Sequence, residues 1–298
     1  MAEPLLSICL PIYNQSAAFE DQVRSIADAP QRVKDRTEFV IVDDCSSDDL
    51  SSPLHQLRSS GWQVRWSRNK ENMGRAPALA RSVRGARGRY ILIMDGDDPF
   101  VEEGLAGIHE ALVELEASPD ARDCLGLVFG TLIDDGASTK RNALPEGLQC
   151  TLLALRADHR IKGDLKEVIR RDAVSAALCP LFDRFRRVPT SLLWARISEV
   201  GTIRCSSKIV VHKSYQSGGL TRNLDIHRKV NLPPLLALYQ RLVESTAYRS
   251  RAYRFRAAVN YHRFLARYGS WQHVRGDFWG MAALTGVPIG LLERARRS

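Results

Sequence analysis

Short apolar runs alternate with segments of helical spacing through the first hundred residues of the chain. Each apolar run has the length of a strand, and the segments between them place apolar residues three and four positions apart. Strands that alternate with helices predict a parallel α/β sheet with helices on its faces. The predicted strands are 5–12, 38–42, 62–67 and 90–94, and the predicted helices between them are 19–29, 50–59 and 75–87.

The alternation continues less regularly after residue 100. Apolar runs predict strands at 125–133 and 207–211, and helical spacing predicts helices at 101–116, 148–157 and 165–177. Asp164 directly precedes the last of these helices, which is the position of an amino-terminal cap. Beyond residue 222 only helical spacing remains, and it predicts helices at 233–246 and 252–268.

Acidic residues follow the predicted strand 90–94 at once. Asp95, Asp97 and Asp98 stand within four residues, with Gly96 among them. Ligands of open α/β sheets bind outside the carboxyl ends of the strands. Carboxylates in such a group repel each other and favour a cation such as Mg²⁺ or Mn²⁺, although Asp-Gly and Asp-Pro are also ordinary turn sequences. This stretch alone leaves a metal site and a simple turn both open.

Two more predicted strands end in polar residues. Tyr13 and Asn14 follow the first strand, and Asp43 and Asp44 follow the second. Three such clusters at one edge of a sheet indicate a ligand crevice. The chain has neither a Gly-x-Gly-x-x-Gly sequence nor a Gly-Lys-Ser/Thr loop, which argues against a dinucleotide-binding enzyme and a P-loop NTPase.

The formal net charge of +9 is concentrated near the carboxyl terminus. From Arg222 onward there are 14 Lys or Arg residues against four Asp or Glu residues. Such a basic region can meet nucleic acid, anionic lipid or a phosphorylated substrate. In the predicted helix 252–268, a stripe from Phe255 to Tyr268 lies between arginines, and packing of this stripe is favoured over membrane contact. The segment 286–297, with leucines beside arginines, keeps the membrane interpretation open.

Other features of composition indicate a cytoplasmic protein. No apolar run is long enough to cross a membrane, and the amino-terminal residues lack the pattern of a secretory signal. The six cysteines are scattered without a Cys-x-x-Cys pair, so reduced thiols are expected rather than zinc ligands or disulfides.

Four stretches in order resemble the family 2 glycosyltransferases of GT-A fold. They are Leu-Pro-Ile-Tyr-Asn at 10–14, Val-Ile-Val-Asp-Asp-Cys-Ser-Ser-Asp at 40–48, Asn-Met-Gly-Arg-Ala-Pro-Ala-Leu-Ala at 72–80, and Ala-Arg-Gly-Arg-Tyr-Ile-Leu-Ile-Met-Asp-Gly-Asp-Asp at 86–98. The resemblance covers roughly the first 135 residues well and weakens towards residue 222. Each stretch is weak alone, but four in this order on these elements are a strong signal.

The resemblance implies a fold and a division into domains. The fold is a Rossmann-like, mostly parallel central sheet flanked by helices, with a helical extension at the carboxyl terminus. The GT-A domain would span 1–222, with a nucleotide-binding half at 1–100 and an acceptor half at 101–222. The basic helical extension would span 223–298.

The resemblance also implies how the first half binds the nucleotide. Pro11, Tyr13 and Asn14 would border the base of a nucleotide sugar, with Tyr13 stacking on it. Asp43 or Asp44 would accept hydrogen bonds from the base or the ribose.

The diphosphate and metal residues follow from the same resemblance. Arg75 and Arg81 would approach the diphosphate, and Asp95 would touch the ribose or the metal shell. Asp97, with Asp98 nearby, would coordinate the Mg²⁺ or Mn²⁺ ion that stabilises the departing nucleoside diphosphate.

The second half would supply the general base. The family often carries a Glu-Asp pair at the place where this chain has Gly163-Asp164, so Asp164 is the candidate and Glu167 lies one helical turn on. Gly163 and Ala80 depart from residues that are frequent in the family. A plain helix cap is the competing interpretation of Asp164.

Three residues after the last predicted strand complete the candidate site. His212 is a further candidate metal or diphosphate ligand, although a lone histidine is more often structural. Lys213 and Tyr215 would line the diphosphate if the glycine-containing loop after them closes.

The resulting hypothesis is an inverting, metal-dependent glycosyltransferase of hexosyltransferase type. It would move a sugar from a nucleotide-diphosphate sugar to a saccharide or lipid-linked acceptor, in bacterial cell-surface polysaccharide or glycoconjugate synthesis. One alternative is a nucleotidyltransferase acting on sugar phosphates, but its usual glycine-rich basic loop is missing. A non-catalytic nucleic-acid-binding protein leaves the acidic strand ends unexplained, so no nucleic-acid partner is expected. Peripheral contact with the inner membrane face and a homodimer stay open.

Overall fold

The computed structural model describes residues 3–134, 139–214, 231–268 and 277–295. The chain divides into two compact units. The first contains residues 1–150, 162–186 and 201–219, and the second contains 151–161, 187–200 and 220–298. The predicted domain boundary after residue 222 lies outside the described residues and stays a prediction, although the second unit also takes two segments that precede it.

The described part of the first unit contains one sheet. Its strands are β1 Leu6–Ile12, β2 Thr37–Asp43, β3 Gln63–Arg68, β4 Tyr90–Ile93, β5 Cys124–Asp134, β6 Thr139–Asn142, β7 Gln149–Cys150, β8 Lys166–Arg170 and β9 Thr202–Ser214. Their spatial order is β3-β2-β1-β4-β8-β5-β9-β7, with β6 beside β5. β1 to β5 and β9 point in the same direction, which agrees with the predicted mostly parallel sheet.

Helices connect and cover these strands. They are α1 Ser16–Arg24, α2 Gln31–Lys34, α3 Ser51–Ser59, α4 Arg75–Gly85, α5 Gly104–Ala117, α6 Leu152–Ala157, α7 Arg171–Ala177, α8 Leu181–Arg184, α9 Thr190–Ile197, α10 Leu232–Glu244, α11 Arg251–Tyr268 and α12 Asp277–Ala295. α6 and α9 to α12 belong to the second unit. In the first unit, α4 packs on β1 and β2, and α5 packs on β5 and β9.

The core lies around the two central strands of the parallel half. Every residue of β1 and of β2 is buried. A strand that is covered on both faces favours a nearly continuous apolar run over an alternating one, as the sequences of these strands show. Phe39 of β2 meets Trp62 edge to face at 5.2 Å between ring centroids. This core fixes the strands whose ends carry the polar clusters.

The helix predicted over 165–177 is wrong in its first half. Residues Lys166–Arg170 form strand β8, and only Arg171–Ala177 is helical. β8 inserts antiparallel between β4 and β5, where Val168 and Ile169 are fully buried. Hydrogen-bonded pairing with β4 and β5 outweighs the helical spacing, because two adjacent apolar residues such as Val168 and Ile169 fit a central strand as well as a helix. Asp164 is therefore not a helix cap.

In the second unit, α12 packs closely on α11. A Cβ added at Gly286 would lie 2.3 Å from the carbonyl oxygen of Val259, and one at Gly290 would lie 2.3 Å from that of Arg263. Glu293 accepts hydrogen bonds from Arg263 Nε at 3.0 Å and from Arg267 Nη1 at 2.8 Å. The small residues and these ion pairs together hold the two helices.

The predicted stripe of α11 is buried only in part. Ala258 is buried, but Phe255 is 37% exposed, and the buried side chains also include His262 and Phe264. The helices in the described residues all fall short of the length and apolar character that a membrane-crossing helix needs.

Candidate active site

Several strand ends meet at one edge of the sheet, called the polar edge below. Ile12 at the end of β1 pairs with Asp43 of β2, and Cys9 of β1 pairs with Ile93 of β4. β8 runs in the opposite direction, so its first residue, Lys166, starts at the edge where β4 ends. The polar edge carries Tyr13, Asn14, Asp43, Asp44, Asp95, Asp97, Asp98, Lys166, His212 and Lys213.

Asp95 is held by an arginine at the start of α4. Arg75 donates from Nε and Nη2 to Oδ1 of Asp95 at 2.9 and 2.6 Å. Burial alone would raise the pKa of Asp95, but the positive charges of Arg75 and Lys166 outweigh burial and lower the pKa to about 2. Asp95 therefore stays ionised, and the predicted diphosphate residue Arg75 lies at the polar edge with its guanidinium pointing at the acidic loop.

Asp98 lies between two lysines. Its carboxylate is only 3% exposed, and Oδ2 lies 2.5 Å from Nζ of Lys166 and 3.5 Å from Nζ of Lys213. Lys166 is itself buried. A buried carboxylate needs a partner, and here Lys166 supplies it at hydrogen-bond distance.

Asp97 differs from its two acidic neighbours because its side chain is exposed. Partial burial and the nearby charges of Asp98 and Asp95 raise its pKa. The described residues give its carboxylate no ion pair. Asp97 is thus the carboxylate in the loop that a cation would stabilise most.

Gln22 of α1 supports the acidic loop from below. Its Nε2 donates to the carbonyl oxygens of Asp95 at 3.1 Å and Asp98 at 2.9 Å. The side chain is 1% exposed, so the amide fixes the backbone of the loop in the core rather than at the surface. The loop is therefore a braced structure, unlike an ordinary surface turn.

Asp43 and Asp44, which the sequence left as alternatives, have different surroundings. Asp44 Oδ1 accepts from Asn69 Nδ2 at 2.7 Å and from the Met73 amide at 2.9 Å, and Oδ2 accepts from the Gly74 amide at 2.6 Å. Both oxygens of Asp44 thus hold the loop that leads into α4.

Asp43 has one oxygen that accepts no hydrogen bond from the described residues. Oδ1 accepts from the Ser46 amide at 2.8 Å. Oδ2 lies 3.0 Å from Nη1 of Arg68, yet it accepts no hydrogen bond from the described residues although it is buried. Between the two aspartates, the geometry favours Asp43 for the contact to base or ribose.

The residues after β1 present an aromatic surface beside Asp43. Pro11 is buried in the strand, whereas the Tyr13 side chain is 46% exposed. Asn14 has a positive φ of 51°, and its Oδ1 accepts from the Ser47 amide at 2.8 Å. Asn14 therefore joins the β1 and β2 loops, and Tyr13 is left with a face on which a base could stack.

Asp164 lies at the polar edge in the loop before β8. Its carbonyl oxygen accepts from Thr131 Oγ1 and Asn142 Nδ2, both at 2.8 Å, and its carboxylate lies 3.4 Å from Lys213 Nζ at 42% exposure. Gly163 before it has φ of +80°, a backbone that a glutamate would adopt only with strain. This left-handed backbone, which glycine adopts without strain, gives a physical reason for the departure from the Glu-Asp pair of the family.

Glu167 is separated from Asp164 by the strand geometry. It belongs to β8, where successive side chains point to opposite faces, and not to a helical turn shared with Asp164. The predicted one-turn relation between the two carboxylates is therefore absent, and the structure leaves Asp164 as the better candidate base.

The remaining predicted site residues, His212, Arg81 and Tyr215, have different surroundings. His212 of β9 has a buried Nε2 that accepts or donates no hydrogen bond among the described residues, while its amide donates to the Pro99 carbonyl at 2.9 Å. Arg81 binds Asn69 Oδ1 at 2.6 Å and supports the β3 loop, so it is engaged away from Asp97. Tyr215 lies outside the described residues.

Lys166 and Gln22 are the residues of the site that sequence reasoning missed. The helix predicted over 165–177 includes Lys166, and a lysine on a helix does not indicate a functional role. Gln22 lies on α1 without a distinctive motif. A lysine at the start of a short apolar strand would have been a usable signal, because an unpaired buried ammonium is costly. Gln22 offers no comparable signal.

The residues present fit a divalent cation that arrives with a phosphate ligand. No three His, Cys, Asp or Glu side chains converge as a preformed metal site in the ranges that the structure describes. Among the described residues, Asp95 and Asp98 have cationic partners, whereas Asp97 has no ion pair and His212 Nε2 no hydrogen bond. Mg²⁺ often binds through one or two carboxylates together with substrate phosphates and water, which matches this set.

Comparison with known sequences confirms the family resemblance for the first part of the chain. Residues 7–118 match the family model described as Glycosyl transferase family 2. TuaG of Bacillus subtilis strain 168, named as a teichuronic acid biosynthesis glycosyltransferase, is 32% identical over 112 residues, which are 38% of this chain and 43% of TuaG.

A second relative matches over a similar stretch. A dodecaprenyl-phosphate galacturonate synthase of Rhizobium johnstonii is 32% identical over 93 residues, which are 31% of this chain and 28% of that protein. The chain thus spans less than half the length of both relatives.

Comparison with solved structures confirms the predicted fold. S. aureus TarS 1–349 in complex with UDP-GlcNAc superimposes with a TM-score of 0.64 at 15% identity, over 98% of this chain and 91% of that chain. The mannosyltransferase PcManGT of Pyrobaculum calidifontis, in complex with GDP-Man and Mn²⁺, gives a TM-score of 0.55 at 17% identity, over 100% of this chain and 77% of that chain. At these identities the likeness concerns the fold alone.

Proposed function

We propose that this chain, whose residues 7–118 match Glycosyl transferase family 2, is an inverting glycosyltransferase. It transfers a sugar from a nucleotide-diphosphate sugar to a saccharide or lipid-linked acceptor, in the synthesis of a cell-surface polysaccharide or glycoconjugate. The observation that carries the proposal is the polar edge, where three features lie together. They are the exposed Tyr13, the Asp43 carboxylate with one oxygen that accepts no hydrogen bond from the described residues, and the acidic loop 95–98 held by Gln22. The relatives named for teichuronic acid and dodecaprenyl-phosphate chemistry support the acceptor class.

The donor binds across the ends of β1, β2 and β4. Tyr13 stacks on the base. Oδ2 of Asp43, which accepts no hydrogen bond from the described residues, accepts one from the base or ribose. Arg75 and Lys213 meet the diphosphate. The TarS and PcManGT structures contain UDP-GlcNAc and GDP-Man, which supports a nucleotide-diphosphate sugar as the donor class.

A divalent cation, Mg²⁺ or Mn²⁺, belongs to this proposal. Asp97 would hold it, with His212 as a further candidate ligand, and the ion would stabilise negative charge on the departing diphosphate. Asp98 is engaged by lysines and is the weaker candidate for direct contact. The Mn²⁺ in the PcManGT structure supports the choice of metal class.

The transfer itself is a single displacement. The acceptor hydroxyl oxygen attacks the anomeric carbon, the bond from that carbon to the phosphate oxygen breaks, and the nucleoside diphosphate leaves with the bonding pair. Asp164 accepts the hydroxyl proton. Attack opposite to the leaving group inverts the anomeric configuration.

Calorimetric titration with nucleoside diphosphates, with and without Mn²⁺, tests the donor half of the proposal. UDP or GDP should bind, and Asp97→Asn should weaken the Mn²⁺-dependent part of the affinity. Asp172→Asn is a matched control, because Asp172 pairs with Arg170 at the surface. Absence of binding for every nucleoside diphosphate under both conditions would refute the proposed function.

A second variant tests the base. Asp164→Asn should bind the donor nucleotide at least as tightly as the unaltered chain, because Lys213 loses a competing carboxylate, and should lose turnover by at least about a hundredfold, the usual contribution of general base catalysis. The measurement is hydrolysis or transfer of the donor sugar beside a nucleotide titration. Normal turnover of the variant would remove Asp164 from this role.

The second unit supports a peripheral contact with an anionic membrane surface. α12 exposes a row of large apolar side chains, namely Met281, Leu284, Ile289, Leu291 and Leu292. Glu293, on the same helix, is occupied by Arg263 and Arg267, and the exposed Arg294 extends the positive charge. Apolar residues beside arginines fit the interface of an anionic bilayer, while a second copy with the same charge would be repelled.

Vesicle co-sedimentation tests this contact with the whole chain. Phosphatidylglycerol vesicles should bind the protein and phosphatidylcholine vesicles should bind it less, and high salt should weaken the binding. The double variant Leu284→Glu/Leu292→Glu should lose it, whereas Val113→Glu, an exposed apolar residue of α5, should not. Equal binding of the double variant, or a dimer that it abolishes, would contradict the membrane assignment.

A further inference from the structure

Two lysines share one buried carboxylate at the polar edge, and they are not equivalent. Lys166 Nζ lies 2.5 Å from Asp98 Oδ2, and the two side chains are 6% and 3% exposed. Lys213 Nζ lies 3.5 Å from the same oxygen and 3.4 Å from Asp164 Oδ2, and its side chain is 20% exposed. The short, buried pair is Lys166 with Asp98, and Lys213 is held by two longer contacts.

The charges of this cluster set what Lys213 can do. Asp98 carries one negative charge, and Lys166 neutralises it at hydrogen-bond distance. Lys213 faces Asp98 and Asp164 from the end of β9 and is nearer the solvent than Lys166. The contacts of Lys213 to these two carboxylates are long. Its ammonium can therefore exchange them for shorter, charge-assisted hydrogen bonds to a more highly charged anion.

We propose that Lys166 is a positioning residue that occupies Asp98, so that Lys213 can leave the carboxylates and pair with the diphosphate of the donor nucleotide. The proposal rests on the proposed function and concerns how the same site binds its donor. It assigns the buried ammonium of Lys166 a role without any contact to the nucleotide. It also predicts that part of the diphosphate affinity persists without a divalent cation.

The alternative arrangement shows why Lys166 matters. Without it, the buried carboxylate of Asp98 would keep Lys213 as its remaining cation. Removing one partner of a buried ion pair leaves an uncompensated charge, so Asp98 would draw Lys213 in at short distance. The diphosphate would then lose Lys213, although Lys213 itself is unchanged.

The test is calorimetric titration of the full chain with UDP and GDP, in EDTA and in Mn²⁺. The variants are Lys166→Met, Lys213→Met and the double variant Lys166→Met/Asp98→Asn. Lys208→Met is the control, because Lys208 belongs to the same strand as Lys213 but pairs with Glu110 at the surface, 3.2 Å away. Thermal melting of each variant accompanies the titrations.

In EDTA, Lys213→Met should weaken nucleotide binding about tenfold or more, the usual effect of losing a charge-assisted hydrogen bond. Lys166→Met should weaken it by a similar factor. The double variant has no buried charge at Asp98, so Lys213 is released again, and binding should return to within about threefold of the unaltered chain. Because Asp98→Asn would also relieve a folding defect caused by the unpaired charge, the titrations are compared at a temperature at which thermal melting shows every variant to be folded. Under that condition, the loss of binding in Lys166→Met and its recovery in the double variant report the capture and release of Lys213.

Three results would overturn the inference. They are unchanged EDTA binding by Lys166→Met, a double variant no better than Lys166→Met, and nucleotide binding by the unaltered chain that requires Mn²⁺ entirely. Each leaves the proposed glycosyltransferase function intact, whereas no binding under any condition removes that function and this inference together. If Lys166→Met does not fold, the double variant decides: EDTA binding near that of the unaltered chain supports the proposal, and its loss refutes it.

Discussion

Replacing Asp44 by alanine should destabilise the first unit far more than the same change at its neighbour. Asp44 is 2% exposed, and its carboxylate accepts from Asn69 Nδ2 and from the amides of Met73 and Gly74 at 2.6 to 2.9 Å. Hydrogen bonds to a charged group contribute roughly 1.5–3 kcal/mol each, and water recovers part of the loss. The expected decrease in the free energy of unfolding is about 3–5 kcal/mol.

Asp43→Ala is the matched comparison. Asp43 is as buried as Asp44 but accepts one hydrogen bond, from the Ser46 amide, and one contact from Arg68. We expect a loss of about 1–2 kcal/mol in stability for this variant, but a clear loss of nucleotide affinity, because Asp43 is the proposed contact to the base or ribose.

Thermal melting and calorimetric titration of both variants separate the two roles. A loss of 3–5 kcal/mol in a unit of this size should lower the melting temperature by roughly 6–20 °C. Two results would refute the roles inferred from the hydrogen bonds. One is an Asp44→Ala variant that melts like the unaltered chain. The other is full nucleotide affinity in Asp43→Ala together with a loss of affinity in Asp44→Ala at equal stability.

Three further outcomes follow from single residues. Gly74→Ala should cost at least about 2 kcal/mol by denaturant unfolding, because φ is +99° and the added Cβ would lie 2.4 Å from a carbonyl oxygen; unchanged stability would contradict this. The Arg75–Asp95 pair should lose its stabilising contribution as the pH falls from about 4 towards 2, because the pKa of Asp95 is lowered to about 2; Asp95→Asn should flatten this part of the stability profile. Burial lowers the pKa of His109 to about 4, and its ring bonds Thr37 Oγ1 at 2.7 Å. The unfolded chain therefore binds a proton first, and stability should fall by up to roughly 3 kcal/mol between pH 6.5 and 4, a slope that His109→Gln should remove.

The strand ends at the polar edge could be predicted because their signals are local. β4 is a continuous apolar run, and β1 is interrupted only by Ser7. Both end at polar residues, so strand, strand end and candidate ligand stand next to each other in the chain. The parallel order of β1, β2 and β4 then follows from the strand–helix alternation and places the three strand ends together. Tyr13, Asp43 and Asp95 required no knowledge of distant contacts.

The choice between Asp43 and Asp44 could not be predicted in the same way. The two residues are adjacent, equally acidic and both buried, and they differ only in what reaches them from residues 46 and 69–74. Whether an aspartate braces a loop or offers an oxygen to a ligand depends on these partners. Sequence pattern supplies the pair of carboxylates, and tertiary structure assigns their roles.

The prediction for the later strands failed at one step, the assignment of 165–177 to a helix, and that step concealed Lys166. Val168 and Ile169 fit a helix or a central strand equally well, so periodicity could not decide. On a strand, however, Lys166 faces the same side of the sheet as Val168, which is fully buried. A lysine on a buried face must have an anionic partner from another element, since an unpaired ammonium there costs several kcal/mol. The strand assignment would therefore have directed the search to the carboxylates after β4 and predicted the Lys166–Asp98 pair on which the proposed release of Lys213 depends.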